Sequence, residues 1–152
     1  MKNVLKIFTT IVTVILLSAC MDEPEERSIV QAGDRVPDFT VMLDDGSRFS
    51  TEDLAGRESV IMFFTTGCSD CRRALAGMQQ MYEREPSLQI ICISREEGEE
   101  AVARYWREHS LTMAYSAQED RRVYNLFAHS IVPRIYYIGP DLIVTREATS
   151  LQ

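Results

Sequence analysis

The sequence predicts an α/β domain in which a mixed central sheet is flanked by helices. Three observations carry that prediction. Two continuous apolar runs, residues 59–65 and 88–94, have the composition of strands buried on both faces. A segment with apolar residues at helical spacing follows each run, which implies parallel strands joined by helices. Near the end, residues 134–138 and 142–146 are strand-like runs on either side of Gly139-Pro140, so an antiparallel hairpin completes the sheet.

The elements follow in chain order. Lys2 and Lys6 precede an apolar stretch, residues 7–17, broken only by threonines. A run of about ten apolar residues is too short for a bilayer, which takes about 20, and fits the h-region of a secretory signal. Leu17-Ser18-Ala19-Cys20 then resembles the lipobox of bacterial lipoproteins. That resemblance implies removal of residues 1–19, lipidation of Cys20, and a chain anchored in the cell envelope, facing the periplasm or the outer surface. Residues 20–32 read as an acidic tether, because 21–27 hold almost no apolar side chain. The domain is expected over residues 33–152.

Within it, residues 36–43 alternate loosely as a first strand, and Asp44-Asp45-Gly46 is a turn that returns the chain through 48–50. Residues 51–56 suggest one helical turn stopped at Gly56. After the buried strand 59–65, a helix is expected from Ser69 to about Glu85, with Cys71, Leu75, Met78 and Tyr82 on one side and Pro86 closing it. The second buried strand, 88–94, leads to a helix over 96–109 that carries Val102, Tyr105, Trp106 and His109. A short strand is expected at 111–115 and a third helix at 119–128, carrying Val123, Leu126 and Phe127.

Composition removes several function classes. Lys2 and Lys6 are the only lysines, so the processed chain has none for Schiff-base or phosphate-loop chemistry. Their loss moves the formal charge from −7 to −9, and so acidic a chain does not suit nucleic acid, whose phosphates demand a basic surface. No second Cys or His pair stands at a spacing that would complete a metal site with Cys68 and Cys71, and no cofactor is called for.

The chemistry concentrates in Cys68-Ser69-Asp70-Cys71, where a buried strand turns into a helix. Two intervening residues let the sulfurs bond across one helical turn. Cys68 falls at the helix N-terminus, where free N–H groups and the macrodipole favour a thiolate. Cys71 lies one turn inside, in phase with Leu75 and Met78, and is shielded. Attack by Cys68 and resolution by Cys71 through a Cys68–Cys71 disulfide is the expected division of labour. Asp70 opposes a nearby thiolate, and Arg72 and Arg73 favour one if they reach it.

Residues 63–73, Phe-Phe-Thr-Thr-Gly-Cys-Ser-Asp-Cys-Arg-Arg, resemble the active-site segment of thioredoxins. Ile131-Val132-Pro133 resembles their cis-proline loop, and Gly33-Asp34-Arg35-Val36-Pro37-Asp38-Phe39 resembles the start of the TlpA-like branch related to alkyl hydroperoxide reductases. The likeness spans about residues 33–147 and implies a thioredoxin-like fold with the dithiol beside Pro133. It also implies that Val132 and Pro133 form the binding edge for an extended segment of a partner, a protein dithiol or disulfide. Four positions depart from the family's pattern. Gly67 stands where a tryptophan is usual, Met62 where a buried acid or amide is common, and Ala74 and Ala76 where Glu and Pro occur. Residues 147–152 are too few for the final helix of the fold, so the sheet face must be covered by residues 36–54, by a second copy or by a partner, with the N-terminal segment the first choice.

Other residues have plainer readings. Cys92, between Ile91 and Ile93, is a small core thiol. His109 and His129 stand at helix C-termini, and residues 95–100 make a solvated helix start. Two other functions stay open. Thr65, three residues before Cys68, and Arg134 match positions used by thiol peroxidases, although Ile61 stands at the usual upstream proline. A non-catalytic binding lipoprotein could also retain the fold.

Overall fold

The computed structural model describes residues 28–151. The signal segment 1–19, Cys20 and the first part of the tether lie outside the described residues.

Strands β1 (Thr40–Met42) and β2 (Arg48–Ser50) form an antiparallel hairpin, followed by a 3-10 turn over Thr51–Leu54. Then come β3 (Ser59–Phe64), α1 (Ser69–Arg84), β4 (Gln89–Ser94), α2 (Glu99–Glu108), β5 (Ala114–Ser116), β6 (Arg134–Ile138) and β7 (Val144–Ala148). The main sheet has the order β5-β4-β3-β6-β7, with β3, β4 and β5 parallel and β6 and β7 antiparallel. All six residues of the central β3 are buried, as its unbroken apolar composition requires.

The strand period of two sorts the core into layers. Val60, Met62, Phe64, Cys92 and Ile135 face α1 and α2, which bring Cys71, Leu75, Met78, Val102 and Trp106. The Trp106 ring lies 5.2 Å from Phe64 and 4.8 Å from Tyr115, and its indole N–H donates to the Met113 carbonyl at 2.8 Å. On the opposite face, Ile61, Phe63, Ile93, Tyr136 and Ile138 are covered by Val30, Val36, Phe39, Val41, Phe49 and Leu54, together with Tyr124 and Phe127. The N-terminal segment therefore lies on the sheet, as expected.

Four local expectations are corrected. The third helix, 119–128, is absent apart from a 3-10 turn at Tyr124–Leu126. The Asp120 carboxylate accepts both the backbone N–H and the guanidinium N–H of Arg122, which closes a local turn in place of a helical one. The Phe127 carbonyl then serves the N–H groups of Ile29 and Val30 and the Tyr136 hydroxyl. The first strand shrinks to Thr40–Met42, because the Val36 N–H goes to Leu142 and the Phe39 N–H to the Thr51 hydroxyl rather than to a neighbouring strand. The last strand starts at Val144, after a tight turn in which Leu142 has φ +66°. Finally, the packed fold reaches back to Ser28, ahead of the expected boundary at Gly33. The Ser28 hydroxyl is buried in bonds to the Phe127 carbonyl and the Tyr136 hydroxyl, and the Ile29 and Val30 N–H groups also bond to the Phe127 carbonyl, so residues 28–30 pack on the fold.

Candidate active site

The site forms where the C-terminal ends of β3 and β4 meet the loop before β6. β3 ends at Phe64, and a turn through Gly67 delivers Cys68 to the residue just before α1, its N–H bonding back to the Thr65 carbonyl at 3.3 Å. Cys68 is the N-cap of α1: its Sγ accepts the Cys71 backbone N–H at 3.2 Å, satisfying one of the orphan donors of a helix start. A thiolate there would receive the same N–H with the helix dipole behind it. Cys68 is half-buried, Cys71 is fully buried in the helix-side core, and both are free thiols in this structure.

Burial, first, and the adjacent Cys68 sulfur, second, push the Cys71 thiol up to about 12. A main-chain hydrogen bond from Thr65 and the charge of Arg95 pull the other way without offsetting burial. The two cysteines therefore occupy unlike environments: one sulfur at a helix end with access to solvent, the other dry and held protonated.

Opposite Cys68 stands the loop before β6. The Val132–Pro133 peptide is cis, and the Cys68 thiol donates to the Val132 carbonyl at 3.6 Å. The dithiol and the Val132–Pro133 edge thus meet. Ile131, beside them, is an exposed apolar side chain.

The departures have structural outcomes. A Cβ at Gly67 would meet nothing within 4 Å, so the backbone next to Cys68 is uncrowded there. Met62 is fully buried in the same apolar cluster as Cys71, so the position where an acid is common offers no proton acceptor here. Asp70 pairs with Arg73 on the surface, an exposed contact of the kind that adds little stability. Arg134 is buried in β6, level with Phe63, and its charge bears on Tyr136. Cys92 is buried in β4, and burial alone drives its thiol strongly upward. His109 caps α2 and stacks on Tyr105, whereas His129 lies in a loop because the third helix is not formed.

Residues 95–100, expected as a solvated helix start, are corrected in part. α2 begins only at Glu99, and Arg95 and Glu97 turn back toward the site. The Glu97 carboxylate accepts the Thr66 backbone N–H at 2.7 Å and the Thr66 hydroxyl at 2.8 Å. Arg95 donates to the Ser130 carbonyl at 2.7 Å. Charge runs at the end of a strand carry no periodic signal that separates such contacts from solvation. Their one clue is position, just after a buried strand parallel to the one that leads into Cys68.

Comparison with known proteins agrees with this geometry. The chain is 24% identical to the thiol-disulfide oxidoreductase ResA of Oceanobacillus iheyensis, over 89% of this chain and 73% of that one. It is 22% identical to ResA of Bacillus subtilis, over 81% of this chain and 70% of that one. Among solved structures, the thioredoxin domain of a thiol-disulfide oxidoreductase from Bacteroides vulgatus superposes with a TM-score of 0.72 at 20% identity, covering 80% of this chain and 91% of that one. A secreted Mycobacterium tuberculosis disulfide oxidoreductase superposes with a TM-score of 0.67 at 18% identity, covering 75% and 84%. The fold is thioredoxin-like, and since the model of the AhpC/TSA family matches residues 32–147, the chain belongs to that family.

Proposed function

We propose that this protein is a thiol–disulfide oxidoreductase that exchanges disulfides with exported proteins through Cys68 and Cys71. The observation that carries the proposal is the pairing of two unlike thiols. Cys68 sits at the start of α1 against the Val132 carbonyl, and Cys71 is buried one turn behind it.

In the reducing direction, the Cys68 thiolate attacks one sulfur of a partner disulfide. A Cys68–partner disulfide forms, and the partner's second sulfur leaves as a thiolate that takes up a proton. Cys71 then gives up its proton and attacks the Cys68 sulfur. The Cys68–Cys71 disulfide forms, and the partner leaves with two thiols. The partner gains two electrons and two protons, and this chain loses them. A dithiol donor returns them in a second exchange of the same kind, and the reverse sequence oxidises a partner. Burial keeps Cys71 protonated until the mixed disulfide forms, so the resolving thiol does not compete for the first attack. When Cys68 bonds to a partner its thiol proton is gone, and the Val132 carbonyl is then released to accept an N–H from the partner's extended segment.

The localisation follows from the N-terminal segment: signal residues 1–19, lipid on Cys20, and a short acidic link that holds the domain close to a bacterial membrane. The relatives named thiol-disulfide oxidoreductase ResA support dithiol and disulfide substrates.

The test is reduction of insulin disulfides with a dithiol donor, alongside trapping by a Cys71→Ser variant. Wild type should reduce insulin, and Cys71→Ser should accumulate mixed disulfides through Cys68. Failure of both ends the oxidoreductase reading. Peroxide turnover by Cys71→Ser would replace it with a thiol peroxidase.

A further inference from the structure

The strongest unassigned feature is the turn that leaves β4. Of its three charged residues, Glu96 pairs with Arg95 at 2.9 Å, and Arg95 and Glu97 reach the two halves of the site in opposite directions. Glu97 holds Thr66, two residues before Cys68, through the N–H and hydroxyl contacts given above. Arg95 holds Ser130, two residues before Val132, through its guanidinium. The turn is itself anchored. The Arg95 N–H donates to the Phe64 carbonyl at 2.9 Å, tying it to the end of β3. The buried Ser94 hydroxyl donates to the Glu97 carbonyl at 2.7 Å and accepts the Gln118 N–H at 2.7 Å.

The loop held by Arg95 has little freedom left. Arg121 donates to the His129 carbonyl, Arg95 to that of Ser130, and the Tyr124 hydroxyl to that of Ile131 at 2.8 Å. Both guanidiniums lie over the Tyr124 ring, at 5.8 Å for Arg95 and 5.3 Å for Arg121. The next carbonyl, that of Val132, takes the Cys68 thiol. Three consecutive carbonyls thus have permanent donors, and the fourth has one that reaction removes.

We propose that Arg95 and Glu97 are positioning residues, a two-armed bracket that sets the distance between the Cys68 sulfur and the Val132 edge where a partner's disulfide segment must lie. The inference rests on the oxidoreductase reading and adds the groups that align its two halves. Neither residue touches the reacting atoms in this role. Exchange with a peptide disulfide needs both the sulfur and the strand-accepting edge in register, and small misplacements are expensive in rate. Attack on a small alkylating agent needs the sulfur alone. The bracket therefore supports the first reaction and leaves the second untouched, a separation that neither general destabilisation nor a purely electrostatic role would give.

The experiment compares wild type, Glu97→Ala and Glu97→Gln on the full chain. Two rates are read: Cys68 with iodoacetamide, and reduction of a peptide disulfide. Gln keeps both contacts, one amide atom accepting the Thr66 N–H and the other donating to its hydroxyl, while removing the charge. Glu97→Ala should lose about tenfold in peptide exchange, roughly 1.4 kcal/mol of transition-state alignment, with alkylation within twofold of wild type. Glu97→Gln should match wild type in both. A Glu97→Gln variant as slow as Glu97→Ala would overturn the bracket in favour of a charge effect. So would equal losses in both reactions, or an Ala variant with full exchange activity. A wild type that exchanges no disulfide refutes the oxidoreductase reading itself and is seen before any variant is compared.

Discussion

Alkylation of the reduced protein should modify Cys68 and spare Cys71 by a wide margin at pH 8. The perturbation is pH itself, acting on a buried thiol. A cysteine at the ordinary value of 9.0 is about one-tenth ionised at pH 8, whereas one raised to about 12 is ionised in about one molecule in 10⁴. The thiolate is the reactive form, so Cys71 should react about 10³-fold more slowly than an unperturbed cysteine, and its complete burial slows access further. The sign follows from burial, which disfavours the anion. The unfolded chain therefore ionises this group first. The stabilisation from keeping it neutral is fully present below about pH 9 and is lost as pH climbs toward about 12. The assay is a short iodoacetamide pulse at several pH values, with each cysteine read by mass spectrometry. Cys71 labelling should climb about tenfold per pH unit from 8 to 10. Cys92, also fully buried, reports any unfolding that would expose both. Labelling of Cys71 within tenfold of Cys68 at pH 8, with Cys92 unlabelled, would refute the assigned roles.

Two further outcomes are expected. Phe39→Ala removes a ring that packs against Phe49 and Phe127, with centroids 6.3 and 5.9 Å away, and should destabilise the fold by about 3–5 kcal/mol in denaturant titration; a loss under about 1 kcal/mol would mean that the N-terminal cover contributes little. Wild type should fractionate with membranes, and Cys20→Ser should be soluble or unprocessed; a wild-type protein recovered freely soluble and without lipid would end the anchor proposal.

What the sequence made legible divides along physical lines. β3 and β4 were readable because strands buried on both faces need unbroken apolar runs, and α1 because Cys71, Leu75 and Met78 share one face. The dithiol was readable because its spacing sits at a strand–helix junction. The segment 119–128 misleads because Val123, Leu126 and Phe127 are spaced as on a helix, yet Val123 and Phe127 reach the core, and Leu126 stays exposed, from a turn whose polar groups are satisfied locally by Asp120 and at long range by residues 28–30. Ser28 was illegible for a related reason. Its burial depends on Phe127 and Tyr136, about a hundred residues away, and no local pattern records that contact.

Arg95 and Glu97 show the same limit at the site. In a sequence, a charge run reads as solvation, because charged side chains are mostly exposed. In the fold, parallel β3 and β4 end side by side, Phe64 level with Ser94, so the turns that leave them share one edge of the sheet. Residues just after β4 must therefore lie against residues just after β3, and β6, paired to the other side of β3, brings its leading loop to the same edge. Topology alone thus gathers the β4 turn, the dithiol and the proline loop at one edge of the sheet, with the dithiol in the middle, and the side chains of Arg95 and Glu97 make the contacts across it. Side chains with opposite charges and two-sided hydrogen bonding suit that location, since one must satisfy an N–H and a hydroxyl and the other a carbonyl. A run that looks bland by composition is thus specific by position: Arg95 and Glu97 lie in the turn before α2 and hold the site, whereas Glu100, three residues beyond Glu97 and inside the helix, is exposed and pairs with Arg104.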